Sequence, residues 1–526
     1  MANKLLKGTF LLSSASFISK ILGFIYIVPL TVLVGTSGYA LYRYAYGPYT
    51  IMLSLSTMGI PLAISKLTAK YKQLKREDIV RKIVKSGMAF MLVTGMTSFL
   101  LLYMLAPLLA GIVVDGKNDG NSLESITYVI RVVSFALIII PPMSLLRGFF
   151  QGNESMGPSA ISTVVEQLSR VLFILAGVVV SLKLLDLSIK HAVGVAAFGA
   201  FIGGIAGLAV LLFYFRKRKK FLLKPRHEIV IHNDISVISI FKEMIKYSIP
   251  FVIMGLSLPL YQNIDTYSIN MVLSNNGYNR MDPENVNSVI GLAQILVLIP
   301  VSITTGLSVT IIPNITKSFF QNNFCLLKEQ IGQSLLILMF IIIPAATGIY
   351  VLAEPLYLLL FTEKNLPILG GELLKFYAPA AILIAFYGVT TSILQAINQQ
   401  KILILGLFSG ILIKIILNLV LPGIFLEKGF ILATYCGYLV SLTFNMIIIR
   451  KRIGMDLIKI KYRIVTVIIS TFIMAFFVNI LEKSLSQYVG TFLIVLICSS
   501  LGILIYIISL YGLNIKKISK GTVSKR

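Results

Sequence analysis

One pattern runs through the whole chain: apolar runs of twenty or more residues separated by short polar connections. A helix needs about 20 mostly apolar residues to cross a bilayer, and in hydrocarbon the backbone polar groups must be satisfied inside the segment. Such a chain folds as membrane-crossing helices. Windows of ~20 residues give about fourteen spans, the first over residues 8–34 and the second over 46–69. Composition agrees: 57% of residues are hydrophobic and 13% charged, against about 45–50% and ~25% in soluble chains. The expected fold is an all-α polytopic membrane protein.

A net charge of +26 raises the question of nucleic acid. The basic residues, however, fall in short clusters between spans, which sets topology and attracts anionic lipid headgroups. Lys70, Lys72, Arg81, Lys82 and Lys85 form one cluster, Arg216–Lys220 a second, Arg450–Arg452 with Arg463 a third, and the C-terminal tail a fourth. The intervening loops carry Glu124, Asp282 with Glu284, and Glu372. Both termini are therefore expected in the cytoplasm, which requires an even number of spans, and no nucleic-acid partner is expected. No cleavable signal peptide is expected, because the first apolar run is too long and lacks a small-residue cleavage site. Cys325, Cys436 and Cys498 are widely spaced and form neither a disulfide framework nor a metal motif. Without Trp, tyrosines such as Tyr39, Tyr42, Tyr44, Tyr46 and Tyr49 must serve as interfacial aromatics.

The longest polar stretch, Arg216–Glu243, separates six spans from the next six. The expected domains are an N-terminal lobe over 1–220, a cytoplasmic linker over 221–244, a second lobe over 245–450, and two further helices with a basic tail over 451–526. The blocks resemble each other. SLLRGFFQGN (Ser144–Asn153) lines up with SILQAINQQK (Ser392–Lys401), and GIPLAISKLTAKY (Gly59–Tyr71) with TIIPNITKSFF (Thr310–Phe320). Six-span repeats of one orientation imply two bundles related by an axis along the membrane normal, with substrate sites near the midplane.

Ionisable residues inside spans are candidate functional sites. Lys20 lies near the middle of the first apolar run among Ser13, Ser14, Ser16 and Ser19. A mid-bilayer cation costs at least about 2.5–3.5 kcal/mol, so it should face protein or trapped water. It serves either an anionic headgroup or a hydrogen bond to a neighbouring helix. Glu166 and Arg170 share a helix face and can pair, as a structural ion pair or a gate. Asp265 sits in YQNIDTYSIN beside Gln262, Asn263, Thr266 and Asn270. It could bind a proton or Na⁺, since hard cations prefer oxygen ligands, or neutralise a basic residue. Lys414, with Asn418 one turn on, either neutralises Asp265 or contacts substrate. Arg147 and Gln151 lie near a cytoplasmic helix end, where a structural or gating use fits. Arg43 and Lys66 fit interfacial anchors. Pro29, Pro61 and Pro259 are among the prolines expected to kink spans. There is no Walker A motif, no GxSxG elbow and no soluble carboxylate pair. The chain is not expected to be an enzyme or to need a cofactor; an ion gradient, the membrane potential or the substrate gradient would drive transport.

The sequences SKILGFIYIVPLTVLVG, RGFFQGNESMGPSAIS and VVEQLSR resemble the polysaccharide-biosynthesis branch of the multidrug/oligosaccharidyl-lipid/polysaccharide exporter superfamily. Within it the chain is similar to lipid II flippases of the MurJ type and to stage V sporulation protein B-like proteins. The resemblance implies a fold like that of multidrug exporters, with two lobes around a cationic cavity and a groove at the last two helices. It implies a bacterial plasma-membrane protein that moves undecaprenyl-pyrophosphate-linked precursor between leaflets. Lys20 matches the basic residue of the family's S-[RK]-x-L-G motif, and Arg147, Glu166 and Arg170 match residues of the fourth and fifth helices. A further family arginine is replaced here by Tyr26, and Lys414 would compensate. The family's sodium site would be partly filled by Asp265 and Asn418. The leading reading is a lipid II flippase, a monomer expected to work with cell-wall synthesis machinery. The alternatives are a cation-coupled multidrug exporter, a flippase for another lipid-linked polysaccharide or spore cortex precursor, and a non-transporting scaffold.

Overall fold

Prolines and glycines decide where the helices of the computed structural model end. The structure describes residues 2–222 apart from 58, 74–75 and 115–119, residues 255–454 apart from 362–365, residues 461–521, and the isolated positions 239, 242 and 252. The expected linker over 221–244 lies largely outside the described residues, and so does the side chain of Lys66.

The first apolar run is not one helix. α1 (Ala2–Ile25) and α2 (Ile27–Thr57) meet at a turn on Tyr26. Pro29 has no N–H to offer the Ile25 carbonyl and its ring crowds that oxygen, so α1 ends four residues upstream. Inside α2, Gly35 takes φ 71° and ψ −173°, a conformation open to glycine alone at little cost. The second expected span, 46–69, is also corrected. Its helix runs from just past Gly35 to Thr57, and α3 (Ile60–Gln73) starts anew after Gly59 at φ 81°.

The chain divides into two compact units. The first holds Met1–Ser274 with Asn279–Asn285. Beyond α3 it contains α4 (Glu77–Val113), α5 (Leu123–Ser134), α6 (Ala136–Gly152), α7 (Met156–Val179) extended by a π turn over Val180–Leu184, α8 (Ile189–Leu222) and α9 (Ser257–Asn275). The second holds Asn275–Tyr278 with Val286–Arg526. It contains most of α10 (Pro283–Phe320), then α11 (Phe324–Val351), α12 (Ala353–Leu360), α13 (Pro367–Tyr377), α14 (Ala380–Ala396), α15 (Gln400–Val420), the single turn α16 (Pro422–Phe425), α17 (Glu427–Ile453), α18 (Lys461–Leu485) and α19 (Thr491–Gly521).

No strand occurs among the described residues. Eleven described helices are long and apolar enough to cross a membrane, twelve if the bent pair α13–α14 is one span. That is fewer than the expected fourteen. One reason is that Ser14–Thr57 counts once at 44 residues, about twice what a single crossing needs, with the break at Gly35 inside it.

The internal repeat is visible within each unit, in a register the sequence did not give. At the end of α6, the Glu154 N–H donates to the Gln151 carbonyl at 3.0 Å and the Ser155 N–H to Phe150 at 2.9 Å, with Glu154 at φ 56°. At the end of α14, the Asn398 N–H donates to Gln395 at 3.0 Å and the Gln399 N–H to Leu394 at 2.9 Å, with Asn398 at φ 59°. Gln151 therefore corresponds to Gln395, not to Gln399, a shift of four residues. With that register Met156 and Gln400, the first residues of α7 and α15, coincide. Arg170 then corresponds to Lys414.

The two C-terminal helices pack on each other and on α11. Val467, Met474, Val478, Ile494, Cys498, Tyr506 and Leu510 form their core with Leu352, and the Tyr506 hydroxyl donates to the Phe340 carbonyl at 2.9 Å. Phe472 and Ile508 remain more than two-thirds exposed, as suits a face against lipid chains.

Candidate functional site

The charge cluster of the first unit rests on a glycine stripe. Gly199, Gly203 and Gly207 recur every fourth residue on α8, so all three face α7 and let the two backbones approach closely. A Cβ on Gly203 would stand 2.7 Å from the Glu166 carbonyl oxygen and 2.9 Å from Arg170 Cβ. The Ser162 hydroxyl donates to the Gly207 carbonyl at 2.9 Å. The second unit makes the matching contact with the partners exchanged: on α17, Ser441 donates to the Gly406 carbonyl of α15 at 3.0 Å.

This packing presents Glu166 to two arginines. Arg170 Nη2 donates to Glu166 Oε1 at 2.9 Å, and Arg147 Nη2 from α6 to Oε2 at 2.8 Å. Arg147 also donates to Ser162 Oγ from Nη2 at 2.9 Å. The three side chains are 13–18% exposed, and removing one partner of such a buried arrangement costs about 3–5 kcal/mol. Two arginines and one carboxylate leave an excess positive charge. Gln151 lies in the last turn of α6, at the helix end where it was expected, and its carbonyl receives the Glu154 N–H.

α1 runs parallel to α7. The Ser19 hydroxyl donates to the Thr163 carbonyl at 3.2 Å, and Gly23 sits against Gln167. One turn further the pairing brings Tyr26 to Arg170, and the two interact electrostatically. The place assigned by resemblance to an arginine is thus occupied by a tyrosine with an arginine beside it. The Tyr26 and Tyr42 hydroxyls are 2.9 Å apart. Tyr42 stacks on Tyr46 at 4.3 Å between centroids, and Tyr46 meets Tyr49 edge-on at 5.3 Å. These tyrosines, at helical spacing on α2, are core and not an interfacial belt: Tyr26 is 7% and Tyr49 2% exposed. Lys20 itself is exposed on α1.

A polar seam joins α9 to α2. Arg43, expected to be an interfacial anchor, is half-buried and donates to Thr266 Oγ1 at 2.9 Å. Asn270 Nδ2 donates to the Tyr44 hydroxyl at 2.8 Å, and the Tyr267 hydroxyl to the Tyr44 carbonyl at 3.0 Å. Asp265 is 1% exposed in this seam. Glu284, read from sequence as a loop carboxylate, is 4% exposed. Its Oε1 accepts from Ser37 Oγ at 2.8 Å and its Oε2 from the Asn121 N–H at 2.7 Å. In the second unit, Lys414 is fully buried on α15 and donates to Thr434 Oγ1 of α17 at 2.5 Å, and Asn418 is buried one turn on. No group of three or more His, Cys, Asp or Glu able to hold a metal occurs among the described residues.

Sequence reasoning found the charges, read Tyr42, Tyr46 and Tyr49 as interfacial aromatics, and missed Ser162 and the glycines on α8. The four-residue spacing of Gly199, Gly203 and Gly207 was the available signal.

A family model described as polysaccharide biosynthesis protein matches residues 5–319. The chain is 39% identical over 523 residues to "Lipid II flippase MurJ" of Bacillus subtilis (strain 168), covering 98% of this chain and 96% of that one. The chain belongs to the polysaccharide biosynthesis protein family. A second family model, MatE, matches residues 250–420 of this polysaccharide biosynthesis protein. It is also 24% identical to "Stage V sporulation protein B" of Bacillus subtilis over 421 residues, 78% of this chain and 76% of that one. Among solved structures, "Lipid II flippase MurJ, inward closed conformation" has a TM-score of 0.69 at 15% identity, covering 95% of this chain and 98% of that one. An inward-facing multidrug resistance MATE family transporter of the MOP superfamily has a TM-score of 0.67 at 14% identity, covering 83% and 94%. Both likenesses concern the fold. The family member is a multi-pass membrane protein of a bacterial cell membrane.

Proposed function

We propose that this chain is a lipid II flippase, not an enzyme, which moves the undecaprenyl-pyrophosphate-linked peptidoglycan precursor from the inner to the outer leaflet by alternating access. The observation that carries the reading is the 39% identity to the Bacillus subtilis lipid II flippase across 98% of the chain. The excess positive charge around Arg147, Glu166 and Arg170 supports it, because a pyrophosphate needs cations at hydrogen-bonding range. Lys20, Tyr26, Arg147, Arg170 and Lys414 are the residues proposed to meet the headgroup, with Glu166 and Gln151 controlling access to it. Asp265 and Asn418 are proposed for coupling to Na⁺ or H⁺. Asp265, Asn263, Thr266 and Asn270 are each buried on α9, and carboxylate, amide and hydroxyl oxygens are the donors a hard cation prefers. The protein acts as a monomer beside the cell-wall synthesis machinery and anionic lipids, with both termini in the cytoplasm.

Cells that depend on this protein test the reading. Lys20→Arg should sustain growth and Lys20→Ala should not; full rescue by the alanine variant removes Lys20 from the site. Purified protein in liposomes should move fluorescent lipid II between leaflets. The match of the MatE model over residues 250–420 favours one second reading, a cation-coupled multidrug exporter. Drug export without lipid II movement in the same liposomes would establish it.

A further inference from the structure

Within the charge cluster, three buried donors are left over: Arg170 Nε and the hydroxyls of Tyr46 and Tyr49. Arg170 spends its Nη2 on Glu166, yet its Nε is buried and has no hydrogen-bond partner. The Tyr49 hydroxyl, on a side chain 2% exposed, is also buried without a partner. α2, which carries Tyr49, packs against α7, which carries Glu166 and Arg170. Buried polar groups are nearly always satisfied, so an orphan in a native site calls for a ligand or a functional reason. Here three orphans belong to one cluster, all can donate, and the cluster carries more positive than negative charge.

We propose that Arg170 and Tyr49 form an anion seat for one phosphate of the lipid-linked headgroup, with Glu166 holding the arginines in place until the phosphate arrives. This assignment rests on the flippase reading and adds a subsite to it. Glu166 accepts from Arg147 and Arg170 through separate oxygens, so it can keep Arg147 while a phosphate takes the Nε edge of Arg170. The planar guanidinium suits that exchange, because its donors match phosphate oxygens in pairs. Lys20 lies on α1, six residues before the turn at Tyr26. It is assigned to a different part of the same anionic group and not to the seat itself.

The test uses Tyr49→Phe. Its hydroxyl has no partner in the empty protein, so removing it should leave thermal stability unchanged or raise it, since an unsatisfied buried polar group is lost. Binding is measured on purified protein in nanodiscs with undecaprenyl pyrophosphate, undecaprenyl monophosphate and the neutral undecaprenol as probes, and with inorganic pyrophosphate as a headgroup without its lipid. Wild-type protein should hold both phosphorylated lipids and not the alcohol. Tyr49→Phe should weaken them about tenfold, the effect of one lost charge-assisted hydrogen bond, at unchanged or higher melting temperature. Glu166→Gln should tighten binding and slow release. If inorganic pyrophosphate competes, the seat reads the headgroup and not the tail. Wild-type affinity in Tyr49→Phe overturns the proposal, and so does a loss of affinity that comes with a loss of stability. Lipid II movement by the wild-type protein in liposomes is scored separately. If it persists while Tyr49→Phe binds normally, the seat is wrong and the flippase reading stands. If it is absent, the flippase reading is wrong, and the inorganic pyrophosphate arm alone judges the seat.

Discussion

Gly203→Ala offers the most direct test of how α8 positions the charges on α7. The added Cβ would sit 2.7 Å from the Glu166 carbonyl oxygen, where ordinary contacts begin at 3.4 Å. Both atoms near the new methyl belong to α7 at the charged residues, and the carbonyl is backbone that no side-chain rotation can move aside. The helices must part by roughly 0.7 Å to restore contact distance. Overpacking of this kind costs about 1–3 kcal/mol. The control is Gly348→Ala on α11, the same chemical change at a helical glycine whose added Cβ meets nothing within 4 Å. It should be neutral or slightly stabilising, because alanine is the better helix former. The assay is unfolding in mixed micelles, followed by lipid II movement at a temperature where both variants remain folded. Gly203→Ala should lose stability and transport while Gly348→Ala keeps both. Equal unfolding of the two variants would refute the argument that close α7–α8 packing holds Glu166 and Arg170 in place.

Two further substitutions probe other buried polar groups. Thr434→Val removes the acceptor of the Lys414 proton at 2.5 Å and should destabilise the protein by about 1.5–3 kcal/mol, the worth of a hydrogen bond to a charged group, measured in the same unfolding assay. Glu284→Gln keeps the shape but replaces one oxygen, each of which accepts a bond, with a donor; a loss of about 1–3 kcal/mol is expected, and faster proteolysis near Asn121 is the simplest readout.

The fold class was legible because a bilayer imposes one length and one polarity on each crossing helix. Lys20, Glu166, Arg170, Asp265 and Lys414 were legible because each is a charge in an apolar run. The pairing of Glu166 with Arg170 followed from helical spacing. Arg147 as the second partner of Glu166 did not, because it comes from another helix and only tertiary packing brings it there. The broken first span was partly legible: Pro29 announced a kink, and the residue four before it is where α1 ends. The repeat register failed for a physical reason. The aligned segments share composition, but the position that fixes the register is the left-handed residue closing each helix, Glu154 in one and Asn398 in the other; Asn favours that conformation, whereas Glu gives no sign of it.

The glycine stripe also bears on how this protein can be watched at work. Because α8 packs closely on α7 at Gly199, Gly203 and Gly207, against the Glu166 backbone itself at Gly203, a displacement of Glu166 and Arg170 carries α8 with it. Phe213 lies on the same helix, 62% exposed and away from the charges. A spin label or fluorophore placed there would act as a pointer fixed to a buried dial, recording the movement of Glu166 and Arg170 without altering either of them.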